Sequence, residues 1–233
     1  MTTVIGIDGC RAGWFAVTAM CTADGSVEHL EPRLLARFSD VFSLQPRPRF
    51  AAVDMPIGLS AQRVVGGREC ERLARAKLGP RRSSIFSAPS RSVLSARDWA
   101  EVRGKGMSKQ SFHLLPKMRE VDEQMTVSRQ RWIRETHPEL AFARLAGAPL
   151  SASKRTAEGR AQRLRLLSDL VPASAALYRQ ASSTWRRKEV AADDILDALV
   201  LAFAACDMLR GHLHCLPARA PRDPRGLRMQ IWS

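Results

Sequence analysis

Apolar positions recur with a strand-like pattern through the first sixty residues. The run TTVIGIDGC predicts a buried strand ending at Asp8, GCRAG a tight turn, and WFAVTAMC a second strand, so the chain opens with a hairpin. A third short strand is expected around Val27 to Leu30. Leu34, Leu35, Phe38, Val41 and Phe42 then fall at helical spacing, giving an amphipathic helix that Pro46 and Pro48 close. RFAAVDMPIGL predicts another buried strand, with Asp54 at its end. The order is β-β-β-α-β, with an acid at the tip of the first and fourth strands.

Residues 60–130 change in character. They hold a helix over about 68–78, the basic loop GPRRSSIFSAPSR and a helix around 108–125. No Pro/Gly/Ser linker borders this stretch, so it is expected to be an insertion or cap on a single domain spanning 1–233. RWIRETHPELAF predicts a fifth strand, a turn and a short helix, with Glu139 just past the strand. Helical patterns follow over 157–169 and 173–181, and GLRMQIW predicts a final strand or an extended tail. Between them, residues 193–208 begin with Asp193, Asp194 and Asp197 and then carry nothing polar from Ala198 to Ala205. That is a helix apolar on every side, and such a helix is buried.

Composition adds a field to this core. The chain has 233 residues, enough for a hydrophobic core and against a disordered reading. Lys and Arg number 37 against 23 Asp and Glu, a formal charge of +14. A positive surface favours polyanionic partners, nucleic acid first, although an arginine-rich composition also produces such an excess without one. The five cysteines are odd in number and lack a C-x-x-C pair, which fits reduced thiols and a cytoplasmic protein. His212, His214 and Cys215 match no usual zinc spacing. The N-terminal run lacks a basic leader, and no apolar stretch approaches the ~20 residues of a membrane span, so no membrane association is expected.

The acids carry the candidate chemistry. Asp194 and Asp197 lie about 60° apart on one helical face and can converge on one point. Asp193 reads as an N-cap, whereas Asp197 lies a turn inside, where a lone carboxylate needs a cation or a hydrogen-bond partner. Asp-Gly at Asp8 and Asp-x-Pro ahead of Pro56 are also ordinary turn sequences, and HPE is an ordinary helix start. Parallel neighbours would nonetheless place Asp8 and Asp54 side by side at the carboxyl edge of the sheet, where ligands of open α/β sheets bind. Four or five carboxylates in one place call for divalent cations, and oxygen-only ligands suit Mg²⁺ or Mn²⁺. Two such ions about 4 Å apart activate water and stabilise a leaving oxygen in phosphodiester cleavage.

Taken in order, GIDGCRAGW, AVDMPIGL, LGPRRSSIFSAPSR, HPELAF and DDILDALVLA resemble domain of unknown function family 429, described as predicted nucleases of the RNase H fold. The resemblance implies an α/β RNase H-like fold, a five-stranded mixed sheet with helices on both faces. It is also similar to the Holliday junction resolvase pattern of an acid on the first strand, one on the fourth and an Asp-x-x-Asp pair on the last helix. On that likeness Asp8 is a bridging metal ligand, Asp54 and Asp197 are further ligands, and Asp194 is a ligand or supports one. Glu139 has no counterpart there and would hold a second metal or orient water. Arg81, Arg82, Ser83, Ser84, Lys117 and Lys154 would grip phosphates or form solvated surface. The expected function is a metal-dependent nuclease acting on DNA or RNA. Two other readings stay open on the same fold: a Mg-nucleotide phosphotransferase and a non-catalytic nucleic-acid-binding protein.

Overall fold

The computed structural model describes residues 1–105 and 107–233. Strands β1 (Thr2–Cys10), β2 (Gly13–Cys21) and β3 (Val27–Leu35) form an antiparallel meander. Strand β4 (Phe50–Val53) pairs parallel to β1 on its other edge, and β5 (Ile133–Glu135) pairs parallel to β4. The sheet order is β3-β2-β1-β4-β5. Between β4 and β5 the chain forms α1 (Glu69–Leu78), the four-residue α2 (Trp99–Val102) and α3 (Lys109–Gln124). After β5 come α4 (Pro138–Ala146), α5 (Ala157–Leu170), α6 (Ala173–Thr184) and α7 (Ala192–Leu209). A small pair, β6 (Cys215–Leu216) with β7 (Ile231–Trp232), closes the chain.

One expected element is different. The helix read over 34–42 is the end of β3 followed by a 3-10 turn, Phe38–Ser43. Leu34 and Leu35 pair with Phe15 and Trp14, so cross-strand pairing outweighs their helical spacing, while Phe38 and Val41 still turn into the core.

Alternation divides the sheet's side chains between two cores. Val4, Phe15, Val17, Ala19 and Ala52 pack against α7 with α4, α5 and α6 around it. Ile5, Ile7, Trp14, Ala51, Val53 and Ile133 pack on the other side against Leu115, Met118 and Val121 of α3. A mixed sheet in this order, with helices on both faces, is the RNase H-like fold.

The depth of α7 is set by one residue. A Cβ at Gly6 would stand 2.1 Å from the Ala202 amide nitrogen and 2.2 Å from the Ala198 carbonyl oxygen. The helix backbone therefore lies directly on β1, an approach that only glycine permits. The same face carries a correction to the expectation of reduced thiols: Cys21 and Cys206 are joined, while Cys10, Cys70 and Cys215 are free. Phe15, Val17, Ala19 and Cys21 alternate onto the α7 side, which brings Cys21 to Cys206 across 185 residues of sequence. Among the described residues no helix is long and apolar enough to cross a membrane.

Candidate active site at the ends of β1 and β4

Parallel register places the first two acids. Ile7 pairs with Val53, so Asp8 and Asp54 leave neighbouring strands side by side, and the Asp54 N–H donates to the Ile7 carbonyl at 3.0 Å. Asp8 is 8% exposed, and its Oδ1 accepts from the Gly9 N–H at 2.8 Å. Moving from Gly6 to Asp8 advances about 6.6 Å along β1, and moving back one turn from Ala198 to Asp194 covers about 6 Å along α7. Close packing at Gly6 thus delivers the acids of α7 to Asp8.

Helix α7 starts at Ala192, one residue earlier than expected, which changes the roles of its first acids. Asp194, not Asp193, closes the helix end, accepting from the Ala191 N–H at 2.8 Å. Asp197 sits a turn deeper and is fully buried. Its Oδ2 accepts from the Lys154 ammonium, and its Oδ1 is buried with no partner.

These groups act on one another. Burial, then the charges of Asp54, Asp197 and Asp194, hold the Asp8 carboxyl well above the usual range, with Lys154 pulling the other way. Burial also raises Asp197, against Lys154 and with Asp54 and Asp193 adding to it. Asp194 is pushed up to about 6 by burial, opposed by the Ala191 N–H and assisted by Asp193 and Asp197. Burial disfavours the Lys154 ammonium, but Asp197 and Asp8 more than compensate, and its pKa rises. The cluster contains four mutually repelling carboxylates and one tethered cation.

The donors are hard oxygens, and the orphaned Oδ1 of Asp197 is an open position of the kind a Mg²⁺ or Mn²⁺ ion takes. As it stands, no group of three or more His, Cys, Asp or Glu among the described residues is gathered to hold a metal. Lys154 supplies the positive charge there instead. The donor set therefore fits a divalent ion in kind, with Lys154 occupying the position next to Asp197.

Glu139 is buried in α4, its Oε1 bonded to Arg163 at 2.6 Å and its Oε2 3.5 Å from Arg81, so both of its oxygens face cations. Its position at the start of α4, one strand beyond β4, turns it to the fully buried Arg163. Arg81 is thereby committed to Glu139, while Arg82 and Ser83 are exposed in the 3-10 turn Gly79–Ser84. Ser84 donates to the Arg81 carbonyl at 2.7 Å. Lys117 bonds the Gly13 carbonyl and lies 4.7 Å over the Trp14 ring, which ties it to the β1–β2 hairpin.

Glu135 ends β5, one strand over from Asp54, which follows β4. Its side chain points to the opposite face, where Oε2 accepts from the Ile57 N–H at 2.7 Å and from Arg68 at 2.9 Å. Arg68 also bonds Glu71 at 2.6 Å and the carbonyl of Gly58 at 2.9 Å. Burial pushes Glu135 up to about 7 against the pull of Arg68. This buried trio braces the loop that follows Asp54, and Asp54, Arg68, Glu135 and His137 line a cleft of only about 20 Å³. A cavity of about 670 Å³ lies at the other end of α7, where Arg144 and Arg210 are both paired with Asp207. It is separate from the carboxylates.

No protein of curated function matches the chain. Among solved structures, RuvC from Thermus thermophilus is similar over 88% of this chain and 95% of its own, at 13% identity and a TM-score of 0.35. The fold assignment rests on the strand order and pairing rather than on that superposition. A family model described as a protein of unknown function (DUF429) matches residues 6–222, and the chain belongs to that family.

Proposed function

We propose that the protein is a divalent-metal-dependent nuclease that cleaves phosphodiester bonds of DNA or RNA. The observation that carries this reading is Asp8, buried among Asp54, Asp194 and Asp197 at the strand ends of a chain with a +14 charge. Asp8, Asp54 and Asp197 would hold the ion, with Asp194 beside them. When bound, Mg²⁺ or Mn²⁺ would supply Lewis-acid charge to the scissile phosphate and lower the pKa of an attacking water.

The chain's own groups have separate tasks. Lys154 holds the Asp197 carboxylate; an ion held by Asp197 would displace its ammonium, which would then be free to meet a phosphate oxygen. Asp194 stands beside these acids, its orientation fixed by the Ala191 N–H. The acids at the strand ends of a chain with a +14 charge favour a polymer lying across them over a bound nucleotide.

The test is cleavage of duplex, single-stranded and branched DNA and RNA with Mg²⁺ or Mn²⁺, with Asp8→Asn run in parallel. Cleavage that disappears in the variant is the expected result. No cleavage above the variant on any substrate, with metal shown to bind, would overturn the nuclease reading.

A further inference from the structure

Arg131, Arg134, Arg222 and Arg228 line a groove of about 330 Å³ at the β5 edge of the sheet, together with Gln230 and Trp232. That is the liquid volume of about ten waters. They arrive from separate places. Arg131 ends the 3-10 turn leading into β5, Arg134 is the middle residue of β5, and Arg222 and Arg228 face each other across a bridged turn. Buried Asp223 holds that turn, accepting from the Arg225 N–H at 2.8 Å and the Leu227 N–H at 2.9 Å while its other oxygen pairs with Arg91 at 2.6 Å. Its charge is spent on Arg91, outside the groove.

Like charges set opposite one another in a bridged pair are destabilising. No acid lines the groove. Among the described residues, none of the four arginines belongs to an ion pair. Arg134 lies 3.8 Å over the Trp232 ring and 4.7 Å over the Phe50 ring, which holds its plane and leaves its N–H edges available. Burial lowers its pKa, as it does for a cation with no carboxylate beside it. A further group points to a missing acceptor: the indole Nε1 of Trp232 is buried with no partner. Donors and positive charge are in surplus, and an anion with several oxygens is the complement.

We propose that this groove binds phosphates of a nucleic-acid strand, at a site separate from the carboxylate cluster. The choice of polyanion rests on the nuclease reading. Arg134 pairs with Ala52, two residues before Asp54, so their Cα atoms are about 8 Å apart at ordinary strand spacing. From there the groove extends toward Phe50 and Arg131 at the start of the strands, whereas the carboxylates crowd their ends. A polymer spans both places along one edge, and a single phosphate does not. The groove therefore positions a strand whose neighbouring segment reaches Asp54.

The experiment is fluorescence anisotropy of labelled single-stranded DNA and RNA with the full chain in EDTA, comparing the parent with Arg131→Glu/Arg228→Glu. Both side chains are exposed, so the fold should survive, and thermal melting checks it. The double variant is expected to bind at least tenfold more weakly. Its log-log salt slope should fall by about 1.4, about 0.7 for each lost phosphate contact on a single strand. Unchanged affinity and slope would overturn the proposal. So would a loss confined to inorganic pyrophosphate binding, which would identify a small-anion site. Because no metal is present, the result is independent of cleavage, and Asp8→Asn should bind the oligonucleotide at least as well as the parent.

Discussion

Replacing Lys154 by methionine removes the cation bonded to Asp197 in the carboxylate cluster while keeping most of the side chain's volume. Two unit charges 4 Å apart interact by about 4 kcal/mol at an effective dielectric of about 20. A third of the Lys154 side chain is exposed, so solvent screens this and the realised effect should be nearer 1–2 kcal/mol. Without metal, the variant loses that much stability at slightly alkaline pH, because Asp197 is left buried without its partner. For a chain of this size about 2 kcal/mol lowers Tm by roughly 4–8 °C. With metal, the sign reverses. A tethered ammonium and a divalent ion compete for the same oxygens, so Lys154→Met should bind Mn²⁺ at least tenfold more tightly in calorimetry, about 1.4 kcal/mol. Saturating Mn²⁺ should also restore its Tm to at least the parent's metal-free value. Equal or weaker Mn²⁺ binding by the variant would refute the reasoning, because Lys154 would then not stand in the metal's place.

Metal-free stability should depend on pH through the same acids. Asp8, Asp194 and Asp197 are all held above their unfolded value of 3.8, so the folded chain binds the extra protons. Their contribution is fully present below about pH 3.8 and is lost as pH rises through the folded values; for Asp194, at about 6, it is on the order of 3 kcal/mol. Melts in EDTA should show a smaller fall between pH 4 and pH 7 for Asp194→Asn than for the parent, and identical slopes would count against it. Gly6→Ala should cost about 1–3 kcal/mol by overpacking against α7 and should weaken Mn²⁺ binding as Asp194 and Asp197 move from Asp8; chemical denaturation and calorimetry read both effects, and a variant unchanged in both would refute the packing argument. Glu139→Gln should destabilise the fold by about 3 kcal/mol, leaving Arg163 poorly compensated, yet keep the parent's metal affinity. A large loss of Mn²⁺ binding with the fold intact would return Glu139 to the site.

What the sequence determined by itself is local or periodic. The apolar run that stops at Asp54 marks the end of β4, and the run into Asp8 marks β1, although β1 continues its pairing with β2 through Cys10. The unbroken apolar surface of α7 likewise marks it as central, and its Asp194/Asp197 spacing follows from helical geometry. Other features depended on the partner. Leu34 and Leu35 fit a helix as well as a strand, and the open edge of β2 decided for the strand. Whether Asp193 or Asp194 closes α7 was decided by where the helix begins, which lets the Ala191 N–H donate to the Asp194 carboxylate. Glu139 reads much like Asp54 until buried Arg163 takes its charge. Lys154 reads as surface until the fold brings it to Asp197, 43 residues away. The arginines of the groove are scattered through a chain rich in arginine, and only the β5 edge and the turn held by Asp223 gather them. Charge pairing is long-range in sequence but short-range in space, so the tertiary structure alone decides which carboxylate keeps a partner and which is left open for a ligand.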